Sequence, residues 1–164
     1  MKIIKTDVDK IKSITHIYTD GGCKGNGKKE NIGAYAFIVV KCLQIRKEYP
    51  FIDYDTTNNK MELKAIIAAL GWIKIFLDKD EQVIIHSDSQ YCIEGINNWS
   101  IKWKLKNFKD VKNPELWKEL CSLADELPNV QYKWVKGHQE SNSFEARFNN
   151  RVDELCNKLI QETI

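Results

Sequence analysis

The sequence predicts an α/β domain built on a mixed five-stranded sheet, an antiparallel meander followed by parallel strands, with helices on both faces. Three observations predict it. Two strand-like segments, residues 34–40 and 43–49, follow one another so closely that hairpin pairing is the natural outcome. Across residues 59–77 the apolar spacing then changes from the period of a strand to that of a helix. From residue 83 onward, strand and helix patterns alternate, the rhythm of crossover connections between parallel strands.

Each element follows from its residues. Residues 14–19 read as the first strand, ending on Asp20, where Asp-Gly-Gly-Cys-Lys-Gly-Asn-Gly predicts a glycine-rich loop. In the helix at 59–77, Glu62, Ile66, Ala69 and Ile73 share one stripe, so Glu62 is predicted to face the sheet. Residues 83–87 form a short apolar strand that ends at Asp88. A helix over 89–98 follows, with Ile93 and Ile96 inward. Asn113 is placed as an N-cap with Pro114 at the first helical position, so the next helix runs to Leu127 and stops before Pro128. Val130, Tyr132 and Trp134 alternate with polar residues in a last strand. A polar loop over 137–148 leads to a terminal helix beginning near Asn149.

At 164 residues the chain is long enough for one domain with a sizeable core, taken as residues 14–164 behind an extension at 1–13. The net charge is only +2, so attraction to a polyanion must come from local clustering. Five widely spaced cysteines without a Cys-x-x-Cys pair argue against a disulfide framework or zinc site and favour a reducing cytoplasm. No apolar run approaches membrane-spanning length and the start lacks an export-type apolar core, so a soluble protein without a membrane partner is expected.

Four acids stand out: Asp20, Glu62, Asp88 and Asp153, each at a strand end or in the first turn of a predicted helix. Each has an ordinary structural explanation. Asp20 before glycine suits a turn, Asn59-x-x-Glu62 matches a capping box, Asp88 could cap the next helix, and Asp153 could favour a helix's positive end. Gathered at one sheet edge, however, four carboxylates would repel unless hard divalent cations shared them. Two-ion phosphodiester cleavage needs such a set.

The motifs Tyr18-Thr-Asp-Gly-Gly-Cys, Thr57-Asn-Asn-Lys-Met-Glu-Leu, Ser87-Asp-Ser-Gln-Tyr, Trp134-Val-Lys-Gly-His and Asn150-Arg-Val-Asp-Glu-Leu resemble, in order, those of bacterial type 1 ribonuclease H. The resemblance implies an RNase H-like fold, and an endonuclease that cleaves the RNA strand of RNA/DNA hybrids with two Mg²⁺ ions, Mn²⁺ often substituting, to leave 5′-phosphate and 3′-hydroxyl ends. It implies that Asp20, Glu62, Asp88 and Asp153 hold the ions, Asp20 bridging both, and that His138 assists proton transfer or product release. By the same likeness Asn26, Asn58, Asn59 and Gln90 contact the minor groove of a hybrid duplex, and Thr57 grips a phosphate of the DNA strand. A monomer is expected.

Residues 99–112 carry the densest positive charge. On a helix Lys102, Lys106 and Lys109 share one stripe and Ile96, Trp99 and Trp103 another, giving a packed face and a basic face. This segment, with Lys104, resembles the basic protrusion of bacterial type 1 enzymes, in which aromatics fix the element and lysines meet the DNA strand.

Overall fold

A computed structural model describes residues 14–25 and 31–164; the extension at 1–13 and residues 26–30, Asn26 among them, lie outside the described residues. The five strands are β1 (Thr15–Lys24), β2 (Ile32–Lys41), β3 (Gln44–Tyr54), β4 (Val83–Ser87) and β5 (Val130–Trp134), arranged β3-β2-β1-β4-β5. β1, β2 and β3 pair antiparallel, whereas β1, β4 and β5 run parallel, as the patterning predicts. The helices are α1 (Asn58–Phe76), α2 (Gln90–Glu94), α3 (Ser100–Leu105), α4 (Pro114–Glu126) and α5 (Phe144–Thr163), with a π-helical segment (Gly95–Trp99) joining α2 to α3.

Strand alternation divides the core in two. Ile17, Phe37, Val39, Val83 and Ile85 face α1 and α4, packing on Leu63, Ile66, Leu70, Trp117 and Leu120. Tyr18, Ala34, Ala36, Ile38 and Val40 face α5, meeting Phe148, Val152, Cys156 and Ile160. Glu62, Ile66, Ala69 and Ile73 are all buried, so the predicted α1 stripe faces the sheet. No helix among the described residues is long and apolar enough to cross a membrane.

Several boundaries differ from the sequence reading. Asp20 to Lys24 is strand, not loop, because Gly21, Gly22 and Cys23 continue the ladder against Tyr35, Ala34 and Gly33 of β2. β3 runs past Tyr49 through Pro50, tolerated because an edge strand has a free side that needs no N–H. The terminal helix starts at Phe144, not near Asn149: Ser143 caps it by accepting a hydrogen bond from the Ala146 N–H, a serine hidden within a polar run.

The basic segment is likewise not one helix. α3 ends at Leu105, and left-handed backbone at Asn107, Phe108 and Asp110 turns the chain so that Phe108 enters the core. Lys109 therefore leaves the stripe expected with Lys102 and Lys106. Asn113 precedes α4 in left-handed conformation without a side-chain cap, its amide donating instead to the Tyr91 hydroxyl.

Candidate active site

Parallel pairing of β1 with β4 sets Thr19 opposite Ser87, so the chain reaches Asp20 and Asp88 side by side at the ends of the paired segment. α1 crosses this edge and delivers Glu62. Gly21 makes the approach possible: a Cβ there would stand 2.3 Å from the Met61 carbonyl carbon and 2.6 Å from the Glu62 nitrogen. Gly137 plays the same part beside Asp88, where a Cβ would meet the carboxylate at 2.8 Å.

Carboxylate oxygens of Asp20, Glu62 and Asp88 all lie within 4.8 Å of one another. Asp20 and Glu62 are buried, Asp88 is half-buried, and no lysine or arginine among the described residues pairs with any of the three. Burial, then the charge of Asp88, holds the Asp20 carboxyl well above the usual range; burial, then Asp20 and Asp88, does the same to Glu62. Asp88 is raised too, chiefly by burial, with the Asn149 amide pulling the other way. One Glu62 oxygen, Oε2, is buried without a hydrogen-bond partner.

Asp153, the fourth acid, reaches the same cleft from the middle of α5, so it does not serve the positive end of a helix. The capping explanations for the other acids fail as well. Thr57, not Asn59, caps α1 by accepting from the Lys60 N–H at 3.2 Å, and Ser89, not Asp88, caps α2 by accepting from the Cys92 N–H at 3.1 Å. With hydroxyls at both caps, Glu62 and Asp88 are left for other work. An all-oxygen set of acids, one carrying an orphaned buried oxygen, fits hard divalent cations such as Mg²⁺.

The cleft has a volume of about 890 Å³, and its walls include Asp20, Glu62, Asp88, Asp153, His138 and Asn58. His138 stands at the rim, its side chain 82% exposed, Nδ1 at 3.9 Å from an Asp153 oxygen and its backbone left-handed at φ 51°. Asn58 accepts a 2.8 Å hydrogen bond from the Cys23 N–H, which ties the start of α1 to β1. Asn59 and Gln90 are exposed in the first turns of α1 and α2, outside the cleft lining, and the Thr57 hydroxyl accepts at its cap while its O–H remains able to donate.

The aromatic and basic residues form a separate surface. Trp103 packs edge-on against buried Trp117 at 4.8 Å, as the amphipathic reading expects, whereas Trp99, 5.9 Å from Trp103, is exposed rather than on a packed face. Lys102 and Lys106 are exposed, whereas Lys104 is held by Asp125 at 2.8 Å.

Sequence reasoning missed Asn149, which the structure buries to 1% exposure beside Asp88. Its signal was available: it precedes Asp153 by four residues, one helical turn on the same face. Asn157, one turn after Asp153, donates to that carboxylate at 3.4 Å and also lines the cleft.

A sequence profile of the RNase H family matches residues 12–161. Ribonuclease H of Clostridium botulinum is 40% identical over 152 residues, covering 89% of this chain and 95% of that protein. Ribonuclease H of Francisella tularensis subsp. novicida is 39% identical over 163 residues, covering 96% and 98%. Among solved structures, LC9-RNase H1, a type 1 RNase H with the type 2 active-site motif, superposes with a TM-score of 0.78 at 24% identity, covering 93% of this chain and 74% of its own. LC11-RNase H1 in complex with RNA/DNA hybrid superposes at 0.66 with 24% identity, covering 91% and 98%.

Proposed function

This chain belongs to the ribonuclease H family, and from that premise we propose that it is an endonuclease that hydrolyses the RNA strand of RNA/DNA hybrids with two Mg²⁺ ions, leaving 5′-phosphate and 3′-hydroxyl ends. The observation that carries the reading is the set of three carboxylates from three elements within 4.8 Å, none neutralised by a basic side chain among the described residues. Such a set opposes folding unless it has work to do.

Asp20, Glu62, Asp88 and Asp153 are the residues that would hold the ions, with Asp20, which neighbours the other three acids, the one they would share. Bound there, the ions supply a water of lowered pKa and charge to steady the departing oxygen. Gly21 lets the main chain of α1 close on β1 beside Asp20 and Glu62, and Gly137 leaves room for the Asp88 carboxylate. His138 is exposed at the rim, within reach of Asp153, where an imidazole can take or give a proton as substrate arrives or product leaves. Mn²⁺ is expected to substitute for Mg²⁺, since both prefer oxygen donors.

A hybrid differs from DNA by ribose 2′-hydroxyls and groove shape, which short amides can read. Asn58, Asn59 and Gln90, with Asn26, are assigned that role, and Thr57 a phosphate of the DNA strand. Trp99 and Trp103 brace a surface on which Lys102 and Lys106 follow the DNA backbone, with Lys104 a lesser contributor while Asp125 holds it. A cytoplasmic monomer completes the reading; the buried thiols of Cys92, Cys121 and Cys156 support a reducing compartment.

The test is incubation of the purified protein with matched RNA/DNA, RNA/RNA and DNA/DNA duplexes, in Mg²⁺, Mn²⁺ or chelator. Loss of RNA from the hybrid alone, and only with a divalent ion, is expected. Hybrid binding without cleavage in both metals, or equal cutting of all-DNA duplex, overturns the reading.

A further inference from the structure

The segment between β5 and α5 carries His138 and is anchored at both ends. Before it, the Val135 N–H donates to the Ser87 carbonyl at 2.9 Å and Gly137 lies against Asp88; after it, Ser143 caps α5. The middle is held more lightly. Gln139 Nε2 donates to the Lys136 carbonyl at 2.8 Å and the Ser143 N–H to Ser141 Oγ at 3.1 Å, bonds that stay within the segment. His138 has left-handed backbone, in which a residue with a Cβ crowds the following carbonyl, and its side chain is exposed. Packing therefore does not aim the ring; the backbone does.

Among the described residues, a hydrogen bond from α5 crosses to this segment. Asn150, half-buried, donates its Nδ2 to the Gln139 carbonyl at 2.9 Å. It precedes Asp153 by three residues and so shares that face of the helix. Adjacent loop residues thereby meet one helix face at two points, Gln139 at Asn150 and His138, through Nδ1 at 3.9 Å, at Asp153. Two contacts fix a direction where one would leave a pivot.

We infer that Asn150 is a positioning residue that holds the left-handed turn at His138 and so sets the imidazole beside Asp153. The inference rests on the proposed work of His138 at the cleft. Capping does not account for Asn150, since Ser143 supplies the cap of α5. Nor does the fold require the bond, because water can replace it at the half-buried Gln139 carbonyl.

The test is Asn150→Ala, which removes the amide and leaves a good helix former in α5. On hybrid substrate in Mg²⁺, kcat is expected to fall about three- to tenfold, the population shift that one hydrogen bond commands. KM should stay within about twofold, because the interaction lost is not one with the duplex. In a His138→Ala background the same substitution should cost nothing further, since a residue acting through the imidazole has nothing left to place. Backbone order parameters of residues 138–142, from NMR relaxation, should fall while those of β4 and α5 hold.

An unchanged kcat, a rise in KM alone, or a loss that adds in full to that of His138→Ala overturns the inference, and so does native order at 138–142. A merely structural defect is exposed by the same cycle, because it adds in full. Should alanine prevent folding, Asn150→Leu, which keeps the volume without the donor, must meet the same expectations. If the native protein cuts no hybrid, the proposed function fails, whereas the order parameters still decide whether Asn150 holds the segment.

Discussion

β1 and β4 each carry two sets of ionisable groups, and the sets solve crowding in opposite ways. Asp20 and Asp88 meet at the ends of the paired segment beside Glu62 of α1, all acids and all raised chiefly by burial, Asp20 further by Asp88, Glu62 by Asp20 and Asp88, and Asp88 by Asp153. Two residues back, Tyr18 and His86 stack face to face with ring centroids 4.3 Å apart, and His16 Nδ1 and His86 Nε2 share a hydrogen bond of 2.8 Å. Burial first, then His16 and Lys133, push the His86 imidazole down to about 3, so the ring stays neutral, with Nε2 held by His16 and Nδ1 buried without a hydrogen-bond partner among the described residues. The histidine stack relieves its crowding by staying uncharged. The carboxylate cluster gathers acids with no basic side chain beside them among the described residues, a site that calls for a cation, and that difference in charge separates the two clusters.

The largest expected effect breaks the cluster. Asp20→Asn or Asp88→Asn is expected to lower hybrid cleavage by at least about 10³-fold, equivalent to about 4 kcal/mol. Folding should not suffer; the metal-free melting temperature should rise, by about 2–4 °C for each kcal/mol of repulsion relieved. Saturating Mg²⁺, about 100 times its Kd, should add about 2.7 kcal/mol to the native protein and far less to Asp20→Asn. Thermal melts with and without chelator check this, and equal Mg²⁺ stabilisation of both proteins would contradict it.

A second experiment sharpens the contrast through pH. The folded His86 pKa lies below that of the unfolded chain, so the stack's stability is fully present above pH 6.5 and lost as pH falls toward about 3. The raised Asp20 and Glu62 carboxyls act in the opposite sense: without metal, the stability they contribute is present below the ordinary carboxylate range and lost as pH rises. Replacing His86 with Phe should therefore flatten the fall in melting temperature between about pH 6.5 and 4.5. Identical slopes for the two proteins would show that His86 takes up its proton without unfolding.

The smallest effect lies outside both regions. Converting Lys102 and Lys106 to Gln should weaken hybrid binding and reduce its salt slope by about 0.9 for each phosphate no longer neutralised. Lys104→Gln should do less, since Asp125 already neutralises that ammonium. A filter-binding series in increasing KCl measures both, and an unaltered slope would remove this surface from substrate binding.

The sheet and three of the acids were legible because strand period, helix period and strand ends are local signals. Ile17 and Tyr18 declare opposite faces by alternation alone, and the stripe through Glu62 and Ile66 declares which side of α1 is buried. Asp153 was found by motif but misplaced in its helix, since the Ser143 cap lies in a run where serine and asparagine all look like loop. The strand through Gly21–Cys23 was hidden for a related reason: glycine signals a turn, while the pairing that makes it strand comes from β2, a distant partner. Helical period puts Asn149 on the face of Asp153, but its burial is decided by tertiary packing and is not written in the period.

The close approach at Gly21 has one more consequence. Main chain lies against main chain there, so the gap between Asp20 and Glu62 is set by a spacer that contains no side chain and does not thin or thicken when neighbouring hydrophobic residues are exchanged. Core substitutions can accumulate on either face of the sheet while this interval between acids stays fixed, which leaves the lineage free to retune its stability without recalibrating its chemistry.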